Sequence, residues 1–139
     1  MPDPESIEAI RSLAWRYAQA VDRREFARLT ALFTPDAQLS GPGFHLDGAQ
    51  AIAEGMSALG NYSATQHHVH HQLVDVNGDT ASGETYCIAN HLYQDEGGVP
   101  RKLDWGIRYQ DRYVRRQGEW RIAARTLLVD WTQDLPQKG

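Results

Sequence analysis

The hydrophobic period changes partway along this chain of 139 residues, and that change decides what it can fold into. Up to residue 59 apolar side chains recur at three- and four-residue steps. Ile7, Ile10, Leu13, Ala14, Tyr17, Ala18 and Val21 form the stripe of an amphipathic helix. Asp3 before Pro4 supplies an N-cap and a proline for the first turn. Phe26, Leu29, Leu32 and Phe33 predict a second short helix, stopped at Thr34-Pro35. After the loop signal Gly41-Pro42-Gly43, residues 49–59 read as a third helix ending before Gly60-Asn61. From residue 65 onward the pattern is that of strands: 65–76, 80–93, 101–116 and 119–131 are rich in β-branched and aromatic residues. Turn residues separate them at Asn77-Gly78-Asp79, at Asp95-Glu96-Gly97-Gly98 and at Gln117-Gly118. Helices first and an antiparallel meander after are the pattern of an α+β domain. One domain over 1–139 is expected, ordered over about 5–132, with residues 133–139 fraying.

Bulk properties exclude several functions. A net charge of -4 and a pI near 5.8 argue against nucleic acid, which would favour a basic face. No apolar run approaches membrane-spanning length, and the start Met1-Pro2-Asp3-Pro4-Glu5 lacks the features of a signal peptide. The single cysteine, Cys87, allows no internal disulfide, which fits a reducing cytoplasm.

Thr65-Gln66-His67-His68-Val69-His70-His71 holds four of the six histidines, side chains that exchange protons near neutrality. Strand alternation places His67 and His71 on the face of Val69 and Leu73, and His68 and His70 on the other. The apolar company of His67 points it inward. In the next strand Thr85, Cys87, Ala89 and His91 share a face. Their small side chains either leave a cavity with His91 at its edge or are covered by larger residues from the helices. Asp22 closes the first helix, where a carboxylate opposes the helix dipole. It is either a partner that fixes a histidine's tautomer or a surface ion pair with Arg23 or Arg24. His68-Val69-His70 is an H-x-H pair with no companion ligand element, so no metal site is expected. Cys87 reads as a small core residue rather than a nucleophile, and Arg112, Arg115, Arg116 and Arg121 as a solvated sheet face. Tyr17 and Trp131 are candidate pocket-lining aromatics.

Several motifs in order carry a resemblance. Tyr17-x-x-x-x-Asp22 is followed by Leu32-Phe33-Thr34-Pro35-Asp36-Ala37 and Gly48-x-x-Ala51-Ile52. Then come Thr65-Gln66-His67-His68-Val69, Asn77-Gly78-Asp79-Thr80-Ala81, and the run from Tyr113 to Ile122. Together they resemble the SnoaL-like branch of the NTF2-like superfamily, which includes scytalone dehydratase, hexachlorocyclohexane dehydrochlorinase and bile-acid 7α-dehydratase. The resemblance implies a cone-shaped α+β fold with N-terminal helices on a strongly curved, mainly antiparallel sheet around a pocket. It also implies cofactor-independent elimination by a histidine–aspartate pair, matching His67 and Asp22. His91 and Tyr17 match further catalytic positions, and Arg125 a substrate-binding one; Cys87 and Trp131 join Arg125 as expected pocket contacts. Val21, and Leu39 or Ser40, stand where scytalone dehydratase has its tyrosines, a departure in the leaving-group machinery. The expectation is a lyase acting on a small, largely apolar oxygenated molecule such as a polyketide, steroid or aromatic metabolite. Isomerisation, carbon–carbon cleavage and non-catalytic ligand binding are the alternatives. No cofactor, nucleic acid or membrane partner is expected, and relatives suggest a homodimer or homotrimer.

Overall fold

The structure, a computed structural model, describes residues 3–137. Helix α1 (Pro4–Asp22) buries the predicted stripe of Ile10, Leu13, Ala14, Tyr17, Ala18 and Val21. Its larger members each contribute on the order of 1.5–3 kcal/mol through burial. Asp3 caps it by accepting from the Ser6 amide at 3.2 Å, with Pro4 in the first turn. Ser6 joins this cap to the sheet. Its hydroxyl donates to Asp3 at 2.6 Å and accepts from Trp120 Nε1 at 2.9 Å and Arg115 Nη1 at 3.2 Å. Ser6→Ala leaves the buried indole N–H without an acceptor, so urea unfolding is expected to show a loss of about 1–3 kcal/mol.

After α1 the chain forms a 3-10 helix (Phe26–Ala31) and strand β1 (Phe33–Gly41). Strand β2 (Phe44–Asp47) and helix α2 (Ala49–Met56) follow, and then a second 3-10 helix (Ser57–Asn61). Four long strands complete it: β3 (Ala64–Asn77), β4 (Thr80–Gln94), β5 (Pro100–Arg116) and β6 (Glu119–Pro136). The second predicted helix is therefore only a 3-10 turn, and Phe33 already belongs to β1. Pro35 reads as a helix stop. In the fold it lies where the β1–β6 pairing skips from Phe33 to Gln38, so no ladder N–H is demanded of it. The end of the chain is also more ordered than expected. Asp134 and Pro136 pair with Leu103 and Arg101 in the ladder, while Lys138 and Gly139 lie outside the described residues.

The six strands form one curled sheet in the order β2-β1-β6-β5-β4-β3, antiparallel except for β1 beside β6. Helices cover one face, and the core of Ile10, Tyr17, Leu29, Phe33, Leu39, Ile52, Ile107 and Ile122 lies between. Simple alternation fails in β3. Val69 pairs with Cys87 but Gln72 with Thr85, so one residue is extra and β3 bulges over His70-His71. Beyond the bulge the faces exchange. Gln72 is buried, Leu73 is 77% exposed, and His71 stacks on Tyr86 at 4.2 Å on the helix-free face. The expectation that His71 and Leu73 share the face of His67 is thereby corrected. Among the described residues no helix is long and apolar enough to cross a membrane.

Candidate active site

Asp22 is the last residue of α1, and its carboxylate faces the start of β3. Oδ1 lies 2.7 Å from His67 Nδ1 and accepts from Thr65 Oγ1 at 3.0 Å. Oδ2 accepts from the His67 backbone N–H at 2.8 Å. Partial burial pushes the Asp22 carboxyl upward. The hydrogen bonds from the His67 ring, the His67 amide and Thr65 outweigh it and hold the group below its ordinary 3.8. An ionised Asp22 has no proton to give, so His67 Nδ1–H is the donor, and in the neutral ring that tautomer leaves the lone pair on Nε2. The surface pairing with Arg23 or Arg24 is not what Asp22 makes. The His67 side chain is only 4% exposed, which limits its rotation.

Register brings the other rings to this face. Thr65 lies opposite His91, His67 opposite Ala89, and Ala89 opposite Trp105. The His91 ring centroid is 6.4 Å from that of His67, 4.6 Å from Trp105 and 4.8 Å from Tyr62. His91 is buried, and its Nδ1–H donates to the Leu103 carbonyl at 3.0 Å. Burial lowers its pKa below 6.5, against the opposing pull of that hydrogen bond. At neutral pH His91 is therefore uncharged, and its Nε2 accepts rather than donates. The unfolded chain takes up this proton near 6.5 while the folded protein resists it, so stability falls as the pH drops from that value. Urea midpoints are expected to fall for the wild type between about pH 7 and about pH 5, and less steeply for His91→Gln.

Other candidates lie elsewhere. Tyr17 is buried in the core, edge-on to Phe33 at 6.1 Å and Tyr109 at 5.9 Å, and its hydroxyl points to Met56 Sδ at 3.7 Å. Burial pushes it up to about 12. Arg125 is 1% exposed and bound through Nε and Nη2 to Asp111 at 2.8 and 2.9 Å. Tyr17 and Tyr109 cover its guanidinium at 4.5 and 4.0 Å, and Tyr113 donates to Asp111 at 2.7 Å. Cys87 is buried beside this cluster, and burial pushes its thiol up to about 11, which suits a core residue. Trp131 pairs with Gly106 on the helix-free face and lies across it, 46% exposed, away from His67. His68 also faces outward, with Nε2 at 2.6 Å from Asn90 Oδ1. Among the described residues no three His, Cys, Asp or Glu side chains are grouped to hold a metal ion.

A groove of about 410 Å³ between α1 and β3 reaches Asp22 and His67, bordered by Trp15, Gln19 and Val69. A recess of about 610 Å³ on the helix-free face, lined by Leu73, Glu84, Gln110 and Arg112, does not touch them. Thr65 touches the pair through Asp22, while Tyr62 and Trp105 pack on the neighbouring His91, and sequence periodicity points to none of the three.

Helices on one face of a curled, mainly antiparallel sheet define an architecture shared with known proteins. The chain belongs to the SnoaL-like domain family, which matches residues 3–126. An uncharacterized protein of Mycobacterium tuberculosis is 34% identical over 119 residues, covering 84% of this chain and 80% of the relative. The structure of a proposed scytalone dehydratase from Novosphingobium aromaticivorans is 25% identical, with a TM-score of 0.83 over 96% of this chain and 90% of that one. A hexachlorocyclohexane dehydrochlorinase shares the fold at 21% identity, with a TM-score of 0.85 over 96% and 91% of the two chains.

Proposed function

We propose that the protein is a cofactor-independent lyase in which His67, held by Asp22, abstracts a proton from carbon next to a carbonyl group. The observation that carries this reading is the 2.7 Å contact between His67 Nδ1 and Asp22, with two further hydrogen bonds fixing the carboxylate. That arrangement orients the imidazole, leaves Nε2 as a base and stabilises the imidazolium once it forms. The similarity to a proposed dehydratase and a dehydrochlorinase supports elimination as the reaction class.

One base serves both halves of the reaction. His91 is neutral with its N–H engaged by Leu103, and the Tyr17 hydroxyl is buried against Met56, so neither supplies the proton for the leaving group. The protonated His67 returns the proton to the departing hydroxide, which leaves as water. The same single base could return the proton to another carbon, which makes isomerisation the second reading. The apolar and aromatic side chains of Val69, Ala18 and Trp15 along the groove suit a small, largely apolar oxygenated substrate.

A β-hydroxy ketone bearing an aryl group, the aldol of acetone and benzaldehyde, separates the outcomes. Elimination yields the conjugated enone, seen by its ultraviolet absorbance. Carbon–carbon cleavage yields benzaldehyde and acetone instead. Enone formation by the wild type and not by His67→Ala is the expected result; aldehyde release in its place would overturn the elimination reading.

A further inference from the structure

Removing a proton beside a carbonyl places negative charge on the carbonyl oxygen, and a donor aimed at that oxygen stabilises the transition state. The chain has six tyrosines, and five are either engaged in the core and with carboxylates or turned to the helix-free face. Tyr17 points to Met56, Tyr93 donates to Asp134, and Tyr113 donates to Asp111. Tyr109 is buried against Cys87 and Arg125, and Tyr86 stacks on His71 on the helix-free face. Tyr62 remains. Its ring is half-buried, 4.8 Å from His91 and edge-on to Tyr93 at 6.3 Å, and no protein group pairs with its hydroxyl among the described residues.

The backbone holds this tyrosine firmly for a residue outside any helix or strand. Its N–H donates to the Leu59 carbonyl at 3.2 Å, and the following Ser63 N–H to the Leu92 carbonyl at 2.7 Å. Its own carbonyl accepts from Arg24 Nη2. Arg24 lies two residues beyond Asp22 at φ 59°, the left-handed position of the α1 C-terminal closure, formed by Arg24 N–H to Val21 at 3.0 Å and Glu25 N–H to Ala20 at 2.8 Å. Glycine is the usual residue there, and arginine is strained by roughly 1–2 kcal/mol. The guanidinium thus couples the helix end bearing Asp22 to the segment bearing Tyr62, and a rule broken locally is set against a contact made at the site.

We propose that Tyr62 donates a hydrogen bond to the substrate oxygen that becomes anionic when His67 removes the neighbouring proton, with Arg24 as the residue that positions it. This rests on the reading of His67 as the base. His67 Nε2 takes the proton, the C–H electron pair becomes the enolate double bond, and the carbonyl oxygen carries the charge against the Tyr62 O–H. When the carbonyl re-forms, the β carbon–oxygen bond breaks and His67 returns the proton to the hydroxide, giving water and the conjugated product. Val21, and Leu39 or Ser40, stand at the positions where scytalone dehydratase has its tyrosines; this tyrosine comes from the link between the second 3-10 helix and β3.

Binding of para-nitrophenolate, an aromatic oxyanion that cannot react, isolates this donor from the base. Absorbance titration is expected to show wild-type binding weakened about ten-fold or more by Tyr62→Phe and unchanged in Tyr93→Phe. Tyr62→Phe keeps the ring against His91, and an unchanged urea midpoint certifies its fold. His67→Ala is expected to retain phenolate binding, so a failed base and a failed donor give different results. In turnover of the β-hydroxy ketone, Tyr62→Phe is expected to lower kcat about 10²–10³-fold with little change in KM. Wild-type protein that ignores the phenolate at millimolar concentration, or Tyr62→Phe that binds it equally, overturns the proposal.

Discussion

His67→Ala is expected to reduce turnover by about 10²–10⁴-fold while the protein stays folded. The fold survives because the alanine keeps the backbone N–H that donates to Asp22 Oδ2, and Thr65 still holds Oδ1. The ring bond at 2.7 Å and the packing of the buried imidazole are lost. A variant that retains more than about a tenth of wild-type kcat would contradict an acid–base role. Asp22→Asn completes the test. An amide can present an N–H to Nδ1, which moves the histidine proton to Nε2 and removes the lone pair needed to accept a proton from carbon. Turnover is expected to fall on the order of 10²–10⁴-fold with the ring still in place. Steady-state kinetics on the β-hydroxy ketone, beside urea unfolding of each variant, separates chemistry from stability.

The largest effect on stability belongs to Asp111. Removing its side chain leaves the fully buried Arg125 guanidinium without either of its hydrogen bonds to carboxylate. Burial opposes the charge on Arg125, and Asp111 is the neighbour that offsets it and raises its pKa above the ordinary value. Asp111→Ala is therefore expected to cost about 3–5 kcal/mol in urea unfolding. The paired replacement Asp111→Leu with Arg125→Met is expected to recover most of that loss, because no unpaired charge remains. A single variant that loses less than about 1 kcal/mol would mean that the cluster of Tyr17, Tyr109 and Tyr113 accommodates an unpaired cation, and Arg125 would become a candidate for contact with a ligand. As it stands, the guanidinium is 1% exposed, with two tyrosine rings within 4.5 Å of it.

The two halves of the fold were legible because a helix stripe and a meander have different periods. The stripe from Ile7 to Val21 and all four long strands lie close to where the sequence places them. The pairing of Asp22 with His67 was open to inference because a carboxylate at a helix C-terminus stands against the dipole and needs a partner. The bulge in β3 was not. Its extra residue falls among histidines, with no glycine or turn residue to announce it, and it turns Leu73 outward and Gln72 inward. Strand β1 was hidden by Pro35, which ends a helix and sits in a gap of strand pairing with equal ease. Asp111 opposite Arg125 depends on the register of β5 against β6, which itself shifts twice. Tyr62 lies between elements, where periodicity says nothing about direction.

If His67 removes protons from carbon, it does so whether or not a leaving group is present. Deuterium exchange at the α-carbon of β-tetralone in heavy water, followed by proton NMR, tests it without requiring a leaving group. Wild-type protein is expected to accelerate loss of the α-proton signal over buffer, and His67→Ala to match buffer. Exchange by His67→Ala at the wild-type rate would contradict the account.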